Sequence, residues 1–164
     1  MVGSAPRPHY SGDLRAKGVT AALLALTIVA GGCTESRAAA GHSCGALDRR
    51  FIETAGVNMT ALGVLAEGIQ TGAMSPGEVV EETEAAAKRI GHVVPRDPSL
   101  RKAQALITAM FEEYGHAVRL QSDGKPDAGD RMYRAYGLAN FARDVLQQAQ
   151  PDLAEQGCDV ASLL

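Results

Sequence analysis

Apolar positions along this chain recur at helical spacing in four separate stretches. Leu47, Phe51, Ala55, Met59, Leu62, Leu65, Ala66 and Ile69 fall on one broad face at about 100° per residue, while Arg49, Glu53, Thr60 and Glu67 take the other. That pattern predicts a first helix over 46–70. Ser75-Pro76-Gly77-Glu78 then combines a capping serine, proline at the first helical position and glutamate three residues on, the capping box. A second helix follows to about Ile90, burying Val79, Thr83, Ala86 and Ile90, with Glu84 and Lys88 spaced for an i,i+4 pair. Gly91 and the segment 93–96 end it.

Asp97-Pro98 opens a third helix in the same manner. Its stripe is the cleanest in the chain: Leu100, Ala103, Ile107, Met110, Phe111, Tyr114, Ala117 and Val118. The segment 122–127 reads as a turn. A fourth helix spans 128–150 with Ala135, Leu138, Ala139, Ala142, Val145, Leu146 and Ala149 inward, and Pro151 is expected to break or restart it. No segment alternates as a strand. Four amphipathic helices with short connections predict an all-α, antiparallel four-helix bundle over 44–164.

A different pattern precedes the helices. From Gly18 to Gly32 no charge occurs, and residues 21–30 form an apolar run behind Arg15 and Lys17. The run is shorter than the roughly 20 residues that span a bilayer, and a basic stretch followed by such a run has the form of a signal peptide. Ala30-Gly31-Gly32-Cys33 resembles the lipobox of bacterial lipoproteins, with Ala30 where that family usually has leucine. The resemblance implies that residues 1–32 are removed and that Cys33 carries the lipid. It also implies that 33–43 is a lipidated tether and that the mature protein sits at the extracytoplasmic face of the cell membrane. A second small-residue site, Ala38-Ala39-Ala40, fits ordinary secretion and lies farther from the run.

With Cys33 given to lipid, Cys44 and Cys158 remain, and an oxidising compartment would join them. Composition changes the picture in one further respect. Removing residues 1–32 takes out Arg7, Arg15, Lys17 and Asp13 and shifts the formal charge from −3 to −5. Such an acidic domain, read as having no basic patch, argues against nucleic acid as a partner and offers no Lys/Arg cluster to hold it on anionic lipid, so a covalent lipid is the expected attachment.

Candidate chemistry is sparse. Glu113-Tyr114-Gly115-His116 has the Glu-x-x-His spacing of di-metal bundles, but no second copy occurs, and His116 falls opposite the apolar stripe of its helix. The acidic run Glu78, Glu81, Glu82, Glu84 reads as a solvated face with favourable N-terminal charge. His42 and His92 sit in loops without spaced partners. No metal site, cofactor, nucleophile or phosphate loop is expected. On the fourth helix Tyr133, Tyr136 and Asn140 lie off the core face and form a candidate partner surface. The expectation is a non-enzymatic lipoprotein that binds an envelope protein or plays a structural role there. The rival is a small-ligand or metal carrier using the bundle interior.

Overall fold

The computed structural model describes residues 43–164. Signal peptide, lipobox, Cys33, the tether to His42 and the rival cleavage site all lie outside the described residues. Four helices follow one another: α1 (Ala46–Thr71), α2 (Pro76–Gly91), α3 (Pro98–Ser122) and α4 (Ala128–Glu155), with a terminal 3-10 turn over Ala161–Leu163. The fold is the all-α, antiparallel four-helix bundle, and the described residues contain no strand.

Local chemistry starts each helix where the pattern places it. Ser75 Oγ accepts from the Glu78 N–H at 3.3 Å, and the Glu78 carboxylate accepts from the Ser75 N–H at 2.7 Å. This is the reciprocal capping box. Asp97 Oδ1 accepts from the N–H groups of Ser99 and Leu100 at 2.8 and 3.0 Å. Gly72, in the left-handed region at φ 73°, closes α1 and bonds back to the Ile69 carbonyl.

Packing centres on α3, which lies between α2 and α4 and also meets α1. Phe51, Ile90, Leu100, Phe111, Leu146 and Leu153 are fully buried, each side chain contributing about 1.5–3 kcal/mol relative to exposure. A smaller cluster of Leu65, Val79, Val80 and Val118 fills the far end, and Leu62 and Tyr114 pack against both clusters. Cys44 and Cys158 are bonded, with Cα atoms 4.8 Å apart. Antiparallel helices bring the start of α1 and the end of α4 to one end of the bundle, so the bond agrees with the fold.

Three expectations need correction. The helix α4 runs through Pro151 to Glu155. Proline removes one N–H and crowds the carbonyl four residues back, but Gln147, Gln148 and Pro151 are all at the surface, where water serves the freed group. The buried pair Leu146 and Leu153, two turns apart, holds the segment helical. Leu47 is 42% exposed rather than inward, because it sits in the first turn of α1 beside the α2–α3 loop. Glu84 pairs not with Lys88 but with Arg119 across on α3, at 2.6 Å, since an interhelical guanidinium reaches its carboxylate.

Two buried polar side chains were not legible in the pattern. Asp48 accepts from the N–H groups of Arg96 and Asp97 at 2.6 and 3.0 Å and so ties the α2–α3 loop to the start of α1. Asn58 Oδ1 accepts from Arg89 at 3.1 and 2.7 Å and joins α1 to α2. Both satisfy the rule that a buried polar group has a partner.

Candidate functional site

Tyr133 and Tyr136 are 81% and 64% exposed and Asn140 is exposed, so the tyrosine stripe stands at the surface of α4. What the helical wheel does not reveal is its neighbour. Tyr136 forms the rim of an apolar groove of about 230 Å³ between α1 and α4, floored by α3.

Residue size explains the opening. Gly63 and Ala66 on α1 face Ala135 and Ala139 on α4, and side chains this small cannot fill the seam. A Cβ placed on Gly63 would meet no atom within 4 Å. Nearer the disulfide the same seam is closed. Gly157 turns the chain at φ 71°, and beyond Cys158 the terminal turn lies against α1, with Ser162 Oγ 3.0 Å from where a Gly56 Cβ would sit. Val160 and Leu163 are buried there.

The groove's chemistry is apolar with two polar handles. Met59, Met110 and Met132 supply flexible, polarisable thioethers that adapt to varied shapes. Tyr114 and Tyr136 both line it. Burial raises the Tyr114 phenol above its ordinary pKa, and Tyr136 opposite adds to the rise. The Tyr114 hydroxyl therefore stays a neutral donor at physiological pH. The arrangement suits an apolar side chain or aliphatic group with a hydrogen-bond acceptor beside it.

Other sequence candidates resolve as follows. The Glu113 carboxylate is held by Arg131 of α4 at 2.9 and 3.0 Å, and His116 is exposed. The two are not brought together as ligands, and among the described residues no group of three His, Cys, Asp or Glu is placed to hold a metal. In the acidic run, Glu78 serves the cap, Glu82 pairs with Arg89 and Glu84 with Arg119, while Glu81 is solvated. His92 is exposed in a loop, and His42 lies outside the described residues. A depression beside Cys158 is lined by Gln150, Ala154 and Asp159, and the Asp159 carboxylate is engaged with the Ala161 N–H.

A second surface feature escaped the linear reading. At the disulfide end Leu47, Arg50 and Thr54 of α1 meet Arg89, His92 and Val93 around an open depression of about 400 Å³. No run of basic residues announces it, because the start of α1 and the end of α2 contribute one or two cations each. No described helix is long and apolar enough to cross a membrane. Comparison with family models, with curated proteins and with solved structures finds no match for this chain.

Proposed function

We propose that this chain is an exported lipoprotein, anchored through Cys33 at the extracytoplasmic face of the cell membrane. Its helical bundle would bind another envelope component without catalysing a reaction. The observation that supports this best is the Cys44–Cys158 bond. Such a bond persists in oxidising compartments, and of the three cysteines it leaves Cys33 alone for the lipid that the lipobox-like segment implies. A diacylglyceryl group with a further acyl chain anchors stably where one chain does not. Metabolic labelling with a palmitate analogue tests the anchor. Label should appear in the wild-type protein and vanish in Cys33→Ala, with the variant lost from the membrane fraction. A Cys33→Ala protein that stays membrane-bound at its processed size overturns the reading.

The binding surface is the groove with its tyrosine rim. Tyr133 and Tyr136 are large, rigid and amphipathic, the side-chain type enriched at interface hot spots. In-cell crosslinking from position 140, exposed on the same stripe, should capture one dominant partner. Tyr133→Ala with Tyr136→Ala, or Gly63→Phe to fill the open seam, should remove that product while the disulfide and helix content persist. Retention of the product in both variants means that partners bind elsewhere.

A second reading has the groove itself in its favour: a carrier of a small apolar ligand. At about 230 Å³ it falls below the roughly 300 Å³ at which drug-sized ligands fit, which favours a partner's side chain over a whole ligand. Native mass spectrometry of the purified protein decides between them, since a retained small molecule supports the carrier.

A further inference from the structure

The described chain begins at the end of the bundle that carries the basic depression. Cys33 lies ten positions before Ser43, a stretch that spans at most about 36 Å when extended, and the described chain begins beside Cys44 and the first turn of α1. At that end Arg49, Arg50, Arg89, His92, Arg96, Arg101 and Lys102 are all exposed. The acidic side chains at this end divide: Glu82 pairs with Arg89, Asp152 and Glu155 of α4 are exposed, with Asp152 beside Lys102, and others bond to backbone. Asp48 accepts from the backbone of Arg96 and Asp97, Asp97 caps α3, and Asp159 caps the terminal turn. Glu53 remains exposed one turn into α1. Among the described residues Arg50 and Arg96 have no salt-bridge partner.

Two apolar side chains stand among these cations. Leu47 and Val94 are 42% and 56% exposed, on either side of the α1–loop junction that Asp48 holds together. Leu47 lines the depression with Arg50, Arg89 and His92, and an exposed aliphatic beside guanidinium groups matches an interface where acyl chains meet phosphate headgroups. The opposite end carries Glu67, Glu78, Glu81, Asp123, Asp127 and Asp130 at the surface, so the net negative charge conceals a bundle polarised along its length.

We propose that this end docks on anionic phospholipid headgroups of the membrane that carries the anchor, Arg50 and Arg96 meeting phosphates and Leu47 and Val94 entering the interface. The proposal rests on the lipoprotein reading, because the tether delivers this end to the bilayer. It also sets the orientation. The groove begins near Met59, about 20 Å along α1 from Ala46, so docking would hold the groove and tyrosine rim away from the lipid, open to a partner.

The test uses the full chain, purified from membranes of expressing cells and placed on vesicles of phosphatidylcholine alone or with added phosphatidylglycerol, the acyl chains carrying a bromine quencher. A fluorophore attached at Val94→Cys should be quenched only with phosphatidylglycerol, and the quenching should fall at high salt. The same fluorophore at Asn140→Cys should be unaffected. Each arginine near an anionic surface is worth about fivefold in binding, so Arg50→Gln with Arg96→Gln should lower the docked-to-free ratio about thirtyfold, with the disulfide intact. Equal quenching in the two lipid mixtures, equal quenching at both positions, or no effect of the double variant overturns the proposal. Flotation and intact mass report the anchor separately. A chain that floats with phosphatidylglycerol vesicles alone keeps the docking surface and loses the anchor. One that floats with neither mixture and lacks the lipid mass ends both readings.

Discussion

A methyl group on Gly115 would lie 2.5 Å from Thr83 Oγ1. The hydroxyl cannot step aside, since it is fully buried and bonded to the carbonyls of Val79 and Val80 at 2.9 Å each. Gly115 is thus the residue that lets α2 and α3 meet at this point. Gly115→Ala should cost about 1–3 kcal/mol through overpacking, despite the better helix propensity of alanine. At Gly63, where the added methyl meets open space, the same change should stabilise by up to about 1 kcal/mol. Thermal melts of the two variants should therefore move in opposite directions, and a common shift would show that neighbouring atoms do not govern these glycines. From sequence the two residues are indistinguishable: each is a glycine inside a helical pattern, and only the neighbouring element separates them.

Among the elements, α2 shows what local pattern reveals and what it does not. Its start is legible because every atom of the capping box lies within four residues. The N–H and the hydroxyl of Ser75 both donate to Glu78, and these bonds hold its carboxyl below the usual carboxylate range. A lowered folded-state pKa means that the contribution is present at neutral pH and is lost as pH falls through that lowered range. Glu78→Ala should lower the denaturant midpoint at neutral pH and leave it nearly unchanged in acid, narrowing the gap to wild type. An equal difference at both pH values would separate the cap from the charge. The partner of Glu84 was not legible, because Arg119 lies 35 positions away and only packing of α2 on α3 brings it near. Pro151 is the converse case: a local rule predicted a break, and burial of Leu153 on the far side of the helix overruled it.

For the molecule as a whole, the Cys44–Cys158 bond closes a loop with a sequence separation of 114. Closing so long a loop reduces the freedom of the unfolded chain, an effect worth about 2–5 kcal/mol for bonds of this kind. Reduction, or replacement of both cysteines by serine, should lower unfolding stability by that amount. It should also free the terminal turn, read as faster amide exchange from Val160 to Leu164 and at Gly56, where Ser162 rests. Reduction that leaves stability and exchange unchanged would mean that the core alone fixes this end.

The sequence by itself determined four helices, most of their ends, the apolar face of each and the pairing of two cysteines. Those features depend on periodicity, on caps within one turn and, for the cysteines, on the lipobox-like segment that sets Cys33 apart, all of which are local. Tertiary structure alone decided where surface is left over. The groove exists because small residues on α1 and α4, some 70 positions apart in the chain, face each other beyond the reach of the terminal turn. The basic depression exists because antiparallel packing gathers single arginines from separate helices, while Asp48 beside them turns inward to bond backbone. Neither leaves a pattern along the chain, since each is a sum over elements whose neighbours are chosen only when the core forms.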